Sequence, residues 1–500
     1  MTRRLILCSL VVDLLLFQLI GAQEKSPPSA PLQIKAKPEA LIVHLQQRIP
    51  QLMQDGEVPG LSIALIRDVK LVWHHGFGVK NAETKELVTD STVFEAASLS
   101  KPVFAYAVLK LVDSGKLDLD KSLNQYLPGN YDVGDDPRLN QITARRVLSH
   151  TTGFPNWRPN GSPVLKIFFT PGEKFSYSGE GFVYLAKAVE HLAGEPFEVF
   201  MKRMVFDPLG MNSSSYVWQD KYERLKAFKH NFIGKPTGLN KVTEANAAAS
   251  LNTTASDYGK FVAAILKGTG LKKETAKSML TPQVQVDEGG TNTIDRPVGK
   301  LSPYISWALG WGLQNTDEGI SFWHWGDNGN SKAYIVAFEK QKMAVAVFTN
   351  SANGLSIIRE IINDAVGGTH PALDWLHYEP YNSPAKTLLK NIIAQGAEVA
   401  LREYRQYRQG RSGDAVLTEA QINRLGYDLL YGARRVQDAI AVFKLNVEDY
   451  PQSFNVYDSL GEAYKVNGDK DLAIKNYQSS LELNPDNSNG VEMLKKLQEK

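Results

Sequence analysis

Ser98 and Lys101 stand three residues apart in the run VFEAASLSKP, a spacing that sets two side chains on one helix face, a turn apart. A hydroxyl attacks well only when a base takes its proton as the new bond forms. A lysine can be that base where burial or nearby positive charge leaves part of it neutral. A serine at a helix start also has main-chain N–H groups free to stabilise negative charge. The pattern S-x-x-K is short, and it recurs at Ser383-Pro384-Ala385-Lys386. Alone, it reads better as a capping serine with a solvated lysine. Context separates the copies: the first opens an apolar helical run, and the second sits in a proline-rich break with nothing to hold its lysine.

Other chemistries lack their residues. There is no G-x-S-x-G elbow, no H-E-x-x-H pair and no G-x-x-x-x-G-K-[ST] phosphate loop, which argues against an α/β-hydrolase, a zincin and a nucleotide hydrolase. His74 and His75 are adjacent on a predicted strand, where neighbours face opposite ways and do not readily share an ion. The single cysteine, Cys8, excludes a disulfide framework, an iron–sulfur cluster and a cysteine-ligated zinc. No metal and no organic cofactor is implied. Lys+Arg 56 against Asp+Glu 54 leaves a net charge of +2, too balanced for a nucleic acid or an anionic membrane surface as the main partner.

The elements that position Ser98 follow from pattern. Residues 1–22 have a basic start, an apolar run and a Gly21-Ala22 end, the layout of a secretory signal peptide, so an exported protein, periplasmic or secreted, with no stable membrane span after its removal is expected. Residues 23–38 read as a proline-rich tether. From Gly60, LSIALIRDVKLVWHHGFG predicts a hairpin turning at Arg67 to Lys70, and KAYIVAFEKQKMAVAVFTN predicts a second turning at Glu339 to Lys342. Helical patterns lie between them, notably Pro102 to Val112 and Phe182 to Leu192. Strands at both ends and helices between predict an α+β domain over 39–377, with one antiparallel sheet flanked by helices and a mainly helical lobe. A linker over 378–389 precedes an all-α region over 390–500. There Ala439, Phe443 and Pro451 return 34 residues later as Ala473, Tyr477 and Pro485. That period resembles tetratricopeptide repeats, with Lys390 to Arg408 and a last helix from Val491 expected to cover the open faces. Such a tail reads equally as a partner-binding scaffold or a plain helical appendage.

Further motifs arrive in a specific order after SLSKP: LVDSGKLDLDKSLNQYLP, ITARRVLSHTTGF, FSYSGEGFVYLAKAVEHLAGEPFEVFM, FDPLGM, LNTTASDYGKF, WALGWGL and HWGDNGN. Over roughly residues 40–370 this set resembles the serine β-lactamase and penicillin-binding superfamily, especially its class C β-lactamase and esterase branch. The resemblance implies Ser98 as nucleophile, with Lys101 and Tyr177 as one coupled proton-handling unit. It implies an oxyanion hole from the main-chain N–H groups of Ser98 and Asp327, and substrate contacts from His324, Trp325 and Gly326, with His324 binding a substrate carboxylate when protonated. His150 is expected to be structural, and Asp257 to be an N-terminal helix charge after Ser256.

Two departures shape the expected activity. Gly179 stands where the family has asparagine in its tyrosine motif, and His324-Trp325 stand where it has lysine and threonine. Both changes remove groups used on β-lactams. Acyl transfer to water from a small-molecule ester, amide or peptide, through a Ser98 acyl-enzyme, survives them best. The alternatives are a β-lactamase or D,D-peptidase, and a non-catalytic binding protein that uses the helical tail.

Overall fold

The first hairpin joins β1 (Gly60–Arg67) to β2 (Lys70–Gly78) through Asp68 and Val69, at φ 50° and 55°, the left-handed pair that matches the twist of a tight hairpin. The computed structural model describes residues 31–499 apart from 130, 160, 161, 163, 414 and 415. The signal-peptide segment 1–22 lies outside the described residues. The chain divides into two compact units between Tyr381 and Asn382.

In the first unit, the remaining strands of the main sheet are β7 (Val284–Asp287), β8 (Leu301–Trp307), β9 (Gly312–Thr316), β10 (Gly319–Asp327), β11 (Lys332–Phe338) and β12 (Met343–Thr349). Two short pairs stand apart: β3 (Phe94–Glu95) with β6 (Asn252–Thr253), and β4 (Lys229–His230) with β5 (Pro236–Gly238). The sheet order is β2-β1-β12-β11-β10-β9-β8-β7, and all seven neighbouring pairs are antiparallel. The two hairpins expected from sequence zip together through β1 and β12, toward one edge of the sheet, with Leu61 opposite Thr349 and Arg67 opposite Met343.

Central strands covered on both faces read as continuous apolar runs. On β12, Ala344, Ala346 and Phe348 join the core that faces the helical lobe, whereas Met343, Val345 and Val347 join the core on the other face. The first core takes in α2 (Ser100–Asp113), α3 (Gly179–Ala193) and α4 (Ala255–Lys267); the second takes in α1 (Pro38–Asp55) and α5 (Ile358–Ala365). Small side chains on the lobe face let helices approach: a Cβ on Gly259 of α4 would lie 3.1 Å from the Ala64 Cβ of β1. The tether expectation needs one correction. Gln33 is docked, its N–H donating to the Val366 carbonyl at 2.8 Å and its carbonyl accepting from Arg67 at 2.9 Å.

The second unit holds seven helices among the described residues: α6 (Pro384–Gln395), α7 (Ala397–Arg408), α8 (Glu419–Tyr427), α9 (Val436–Asp449), α10 (Phe454–Asn467), α11 (Lys470–Leu483) and α12 (Ser488–Gln498). The single cover expected over Lys390 to Arg408 is two helices, broken at Gly396 with φ 88°. The second S-x-x-K is also better placed than its proline-rich surroundings suggested. Ser383 caps α6, its Oγ accepting from the Lys386 N–H at 3.2 Å. The repeated residues carry a repeated contact: a Cβ on Gly426 would press on the Phe443 ring, and one on Gly461 on the Tyr477 ring. Among the described residues no helix is long and apolar enough to cross a membrane.

Candidate active site

Strand β3 leads into a single tight turn, Ala97–Leu99, that runs straight into α2. Ser98 sits in that turn rather than on the regular helix. Ala97 is held at φ 48°, an uncommon left-handed conformation for a residue with a Cβ. Long-range bonds hold the turn: Ser100 Oγ donates to the Ala97 carbonyl at 2.6 Å, the Leu251 N–H donates to Ser100 Oγ at 3.0 Å, and the Tyr216 hydroxyl donates to the Ser100 carbonyl at 2.7 Å.

Lys101, in the first turn of α2, is fully buried, while Ser98 is half-buried. Lys101 Nζ lies 3.1 Å from Ser98 Oγ and donates to the Ala248 carbonyl at 2.8 Å. The Tyr177, Phe182 and Trp157 rings surround it, with centroids at 4.7, 5.6 and 5.9 Å. Among the described residues no ion pair with Lys101 is found. Burial without a counter-charge disfavours the ammonium, and it lowers the Lys101 pKa well below the ordinary lysine value. As an amine, Lys101 keeps two N–H bonds and gains a lone pair that can accept the Ser98 proton.

Tyr177 lies just before α3, its N–H donating to the Thr291 carbonyl at 3.0 Å. Its ring stacks on His150 at 4.2 Å and lies 4.7 Å from Trp325. The buried hydroxyl makes no ordinary hydrogen bond among the described residues. Burial pushes the phenol pKa far upward, and the nearby Ser98 hydroxyl opposes that rise only in part.

The two histidines of the site have definable tautomers. His150 Nδ1 accepts from the Ser178 N–H at 3.0 Å, so its proton is on Nε2. This bond helps to hold the segment that carries Tyr177, in line with a structural His150. His324 Nδ1 is 2.7 Å from the Trp325 carbonyl, which can only accept, so His324 is protonated on Nδ1 and its Nε2 keeps a lone pair. His324 is fully buried, and desolvation together with Lys101 lowers its pKa to about 3. The structure therefore corrects the expected charged role. A neutral, enclosed His324 is no cationic anchor for a carboxylate. Trp325 is 7% exposed and packs on Tyr177 and Trp323.

Gly326 brings β10 against the nucleophile's turn. A Cβ there would lie 2.4 Å from the Ala96 carbonyl oxygen and 3.2 Å from the Ala97 Cβ. Next to it, the Asp327 carboxylate pairs with Lys332, accepts from the Tyr378 hydroxyl at 2.6 Å and from the Gly329 N–H at 2.8 Å. These bonds pin the strand end that carries the Asp327 main chain. Asp257 lies in the first turn of α4, as expected; Thr254 caps that helix, and the buried Asp257 carboxylate accepts from the Ser213 N–H at 2.7 Å.

Sequence reasoning missed Trp157, Phe182 and the Ala248 carbonyl, each brought to Lys101 by the tertiary fold. Only Trp157 had a sequence signal, the glycine at 179 against which it packs. No group of His, Cys, Asp and Glu able to hold a metal is found among the described residues.

The sequence profile of the Beta-lactamase family matches residues 45–367. Penicillin-binding protein 4* of Bacillus subtilis is 26% identical over 310 residues, 55% of this chain and 64% of that protein. Penicillin-binding protein 4 of Amycolatopsis lactamdurans is 25% identical over 362 residues, 65% of this chain and 89% of that protein. The octameric penicillin-binding protein homologue of Pyrococcus abyssi aligns with a TM-score of 0.54 at 22% identity, over 70% of this chain and 82% of that one. A D-alanine carboxypeptidase of Burkholderia cenocepacia aligns with a TM-score of 0.53 at 17% identity, over 65% and 99%. At these identities the two structures speak to the fold alone.

Proposed function

The chain belongs to the Beta-lactamase family of serine hydrolases, and from that premise we propose that it hydrolyses small esters or amides through an acyl-enzyme on Ser98. The observation that carries this reading is the buried Lys101 amine 3.1 Å from Ser98 Oγ. With its pKa lowered by burial, Lys101 accepts the Ser98 proton as Oγ attacks the carbonyl carbon, and the N–H groups of Ser98 and Asp327 receive the developing oxyanion. Tyr177, held as a neutral phenol, returns a proton to the leaving group and is replenished through Lys101. Water then attacks the ester carbonyl on Ser98 and gives a proton to the same pair, which returns a proton to Ser98 Oγ as the bond to the acyl carbon breaks and the acid leaves. A phenol raised by burial is a poor first base, which favours Lys101 for the opening step.

The missing amide at Gly179 and the neutral His324 weigh toward esters. The penicillin-binding relatives favour a second reading, hydrolysis of β-lactams or cell-wall peptides, and an envelope or secreted location that fits the N-terminal segment. The repeated glycine–aromatic packing within 390–500 supports a tetratricopeptide-like scaffold that holds a protein partner, while the expected linker over 378–389 is already helical from Pro384. A fluorophosphonate probe is expected to label wild-type protein and not Ser98→Ala. Equal labelling of both would end the acyl-enzyme reading. Nitrocefin beside a short-chain nitrophenyl ester separates the two substrate classes. Deleting residues 386–500 is expected to keep hydrolysis and lose the partner.

A further inference from the structure

Gly179 opens α3 directly after Tyr177 and Ser178, and its φ is not among the left-handed values, so backbone conformation does not require a glycine there. Space does. A Cβ at 179 would lie 2.8 Å from Cη2 and Cζ3 of Trp157 and 2.8 Å from the Asn156 carbonyl oxygen, closer than carbon atoms approach without displacement. The indole thus fills the volume that a side chain at 179 would take.

The loop that carries Trp157 is fastened rather than loose. The Asn156 carbonyl accepts from the Gly179 and Glu180 N–H groups at 2.9 and 3.1 Å, and Asn156 Oδ1 accepts from Gly179 at 3.0 Å. Ser178 Oγ donates to the Pro155 carbonyl at 2.9 Å, and the Arg158 N–H donates to the Glu180 carboxylate at 3.0 Å. These bonds also use the free donors of the helix start, which would otherwise offer a polar subsite. Trp157 is nevertheless 44% exposed, and its ring centroid lies 5.9 Å from Lys101 Nζ.

We propose that Trp157, admitted by the missing side chain at Gly179, is a specificity-determining residue that selects esters whose acyl group is flat and apolar, such as an aromatic acid, by stacking it on the indole beside Ser98. This rests on the acyl-enzyme reading of Ser98. An acyl carbon on Ser98 Oγ is within 3.1 Å plus one bond of Lys101 Nζ, so a substituent two or three atoms further on reaches the indole. Ring-on-ring contact favours such a group. A group that depends on an amide hydrogen bond finds carbon there instead.

The test uses the full chain and two nitrophenyl esters with one leaving group, an acetate and a phenylacetate. The ratio of their kcat/KM values is measured for wild type, Trp157→Ala and Trp157→Phe, per active site titrated with fluorophosphonate. Trp157→Ala is expected to lower the phenylacetate-to-acetate ratio about tenfold, and Trp157→Phe to restore most of it. A ratio in Trp157→Ala within about twofold of wild type overturns the proposal, as does a preference that follows the leaving group when that is varied instead. Failure of the underlying reading looks different, because wild type would then take no label at Ser98.

Discussion

Replacing Gly326 with alanine places a methyl group where β10 meets the turn that carries Ser98. The new Cβ would lie 2.4 Å from the Ala96 carbonyl oxygen, with the Ala97 and Ala333 Cβ atoms at 3.2 and 3.3 Å blocking sideways escape. A carbon and a carbonyl oxygen rest at about 3.3–3.6 Å, so strand and turn must separate by about 1 Å. That separation is between the main chains proposed to hold the oxyanion. A misplacement of about 1 Å can cost about 10²-fold in rate, or about 2.7 kcal/mol, comparable with losing one oxyanion donor. The same overpacking costs about 1–3 kcal/mol of stability. The assay is kcat/KM on a short-chain ester per titrated active site, alongside a thermal melt to show that Gly326→Ala is folded. A folded variant with kcat/KM within about threefold of wild type refutes the reasoning, because the two main chains would then not need their present spacing.

Four other outcomes are expected. Lys101→Ala and Tyr177→Phe are each expected to lower kcat by about 10²–10⁴-fold, with the double variant no worse than the poorer single one; multiplicative losses in steady-state assays would separate their roles. Wild-type kcat/KM should rise with pH through the lowered Lys101 pKa, since the amine is the active form. Burial lowers the His370 pKa from 6.5 to about 4. The unfolded chain therefore takes up this proton first, and the contribution to stability present above pH 6.5 is lost as pH falls toward 4. His370→Gln should make that fall shallower by about 1.4 kcal/mol per pH unit in denaturant titrations, and an unchanged slope would contradict the assignment. In the tail, Gly426→Ala meets three Phe443 ring atoms at 2.4–2.8 Å, whereas Gly461→Ala meets Tyr477 at 3.3 Å. The first should destabilise by about 1–3 kcal/mol, while the second should be offset by the helix preference of alanine, about 1 kcal/mol. Chemical unfolding giving the reverse order would show that the aromatic packing is mistaken.

What this sequence determines by itself is whatever depends on near neighbours. Alternating and continuous apolar runs marked the two hairpins, and the antiparallel sheet follows because those strands must cover each other's edges. The three-residue spacing of Ser98 and Lys101 placed both groups in one turn, and the 34-residue recurrence of Ala439 and Phe443 marked repeated helix packing. Tertiary structure alone decided the state of the groups. Lys101 is deprived of water by the Tyr177, Phe182 and Trp157 rings and held by the Ala248 carbonyl, contacts that span up to 147 residues of chain. His324 is neutral for the same reason, because a pKa answers to the solvent and charge around a group. Spacing along a chain carries no record of which distant surfaces will exclude that water.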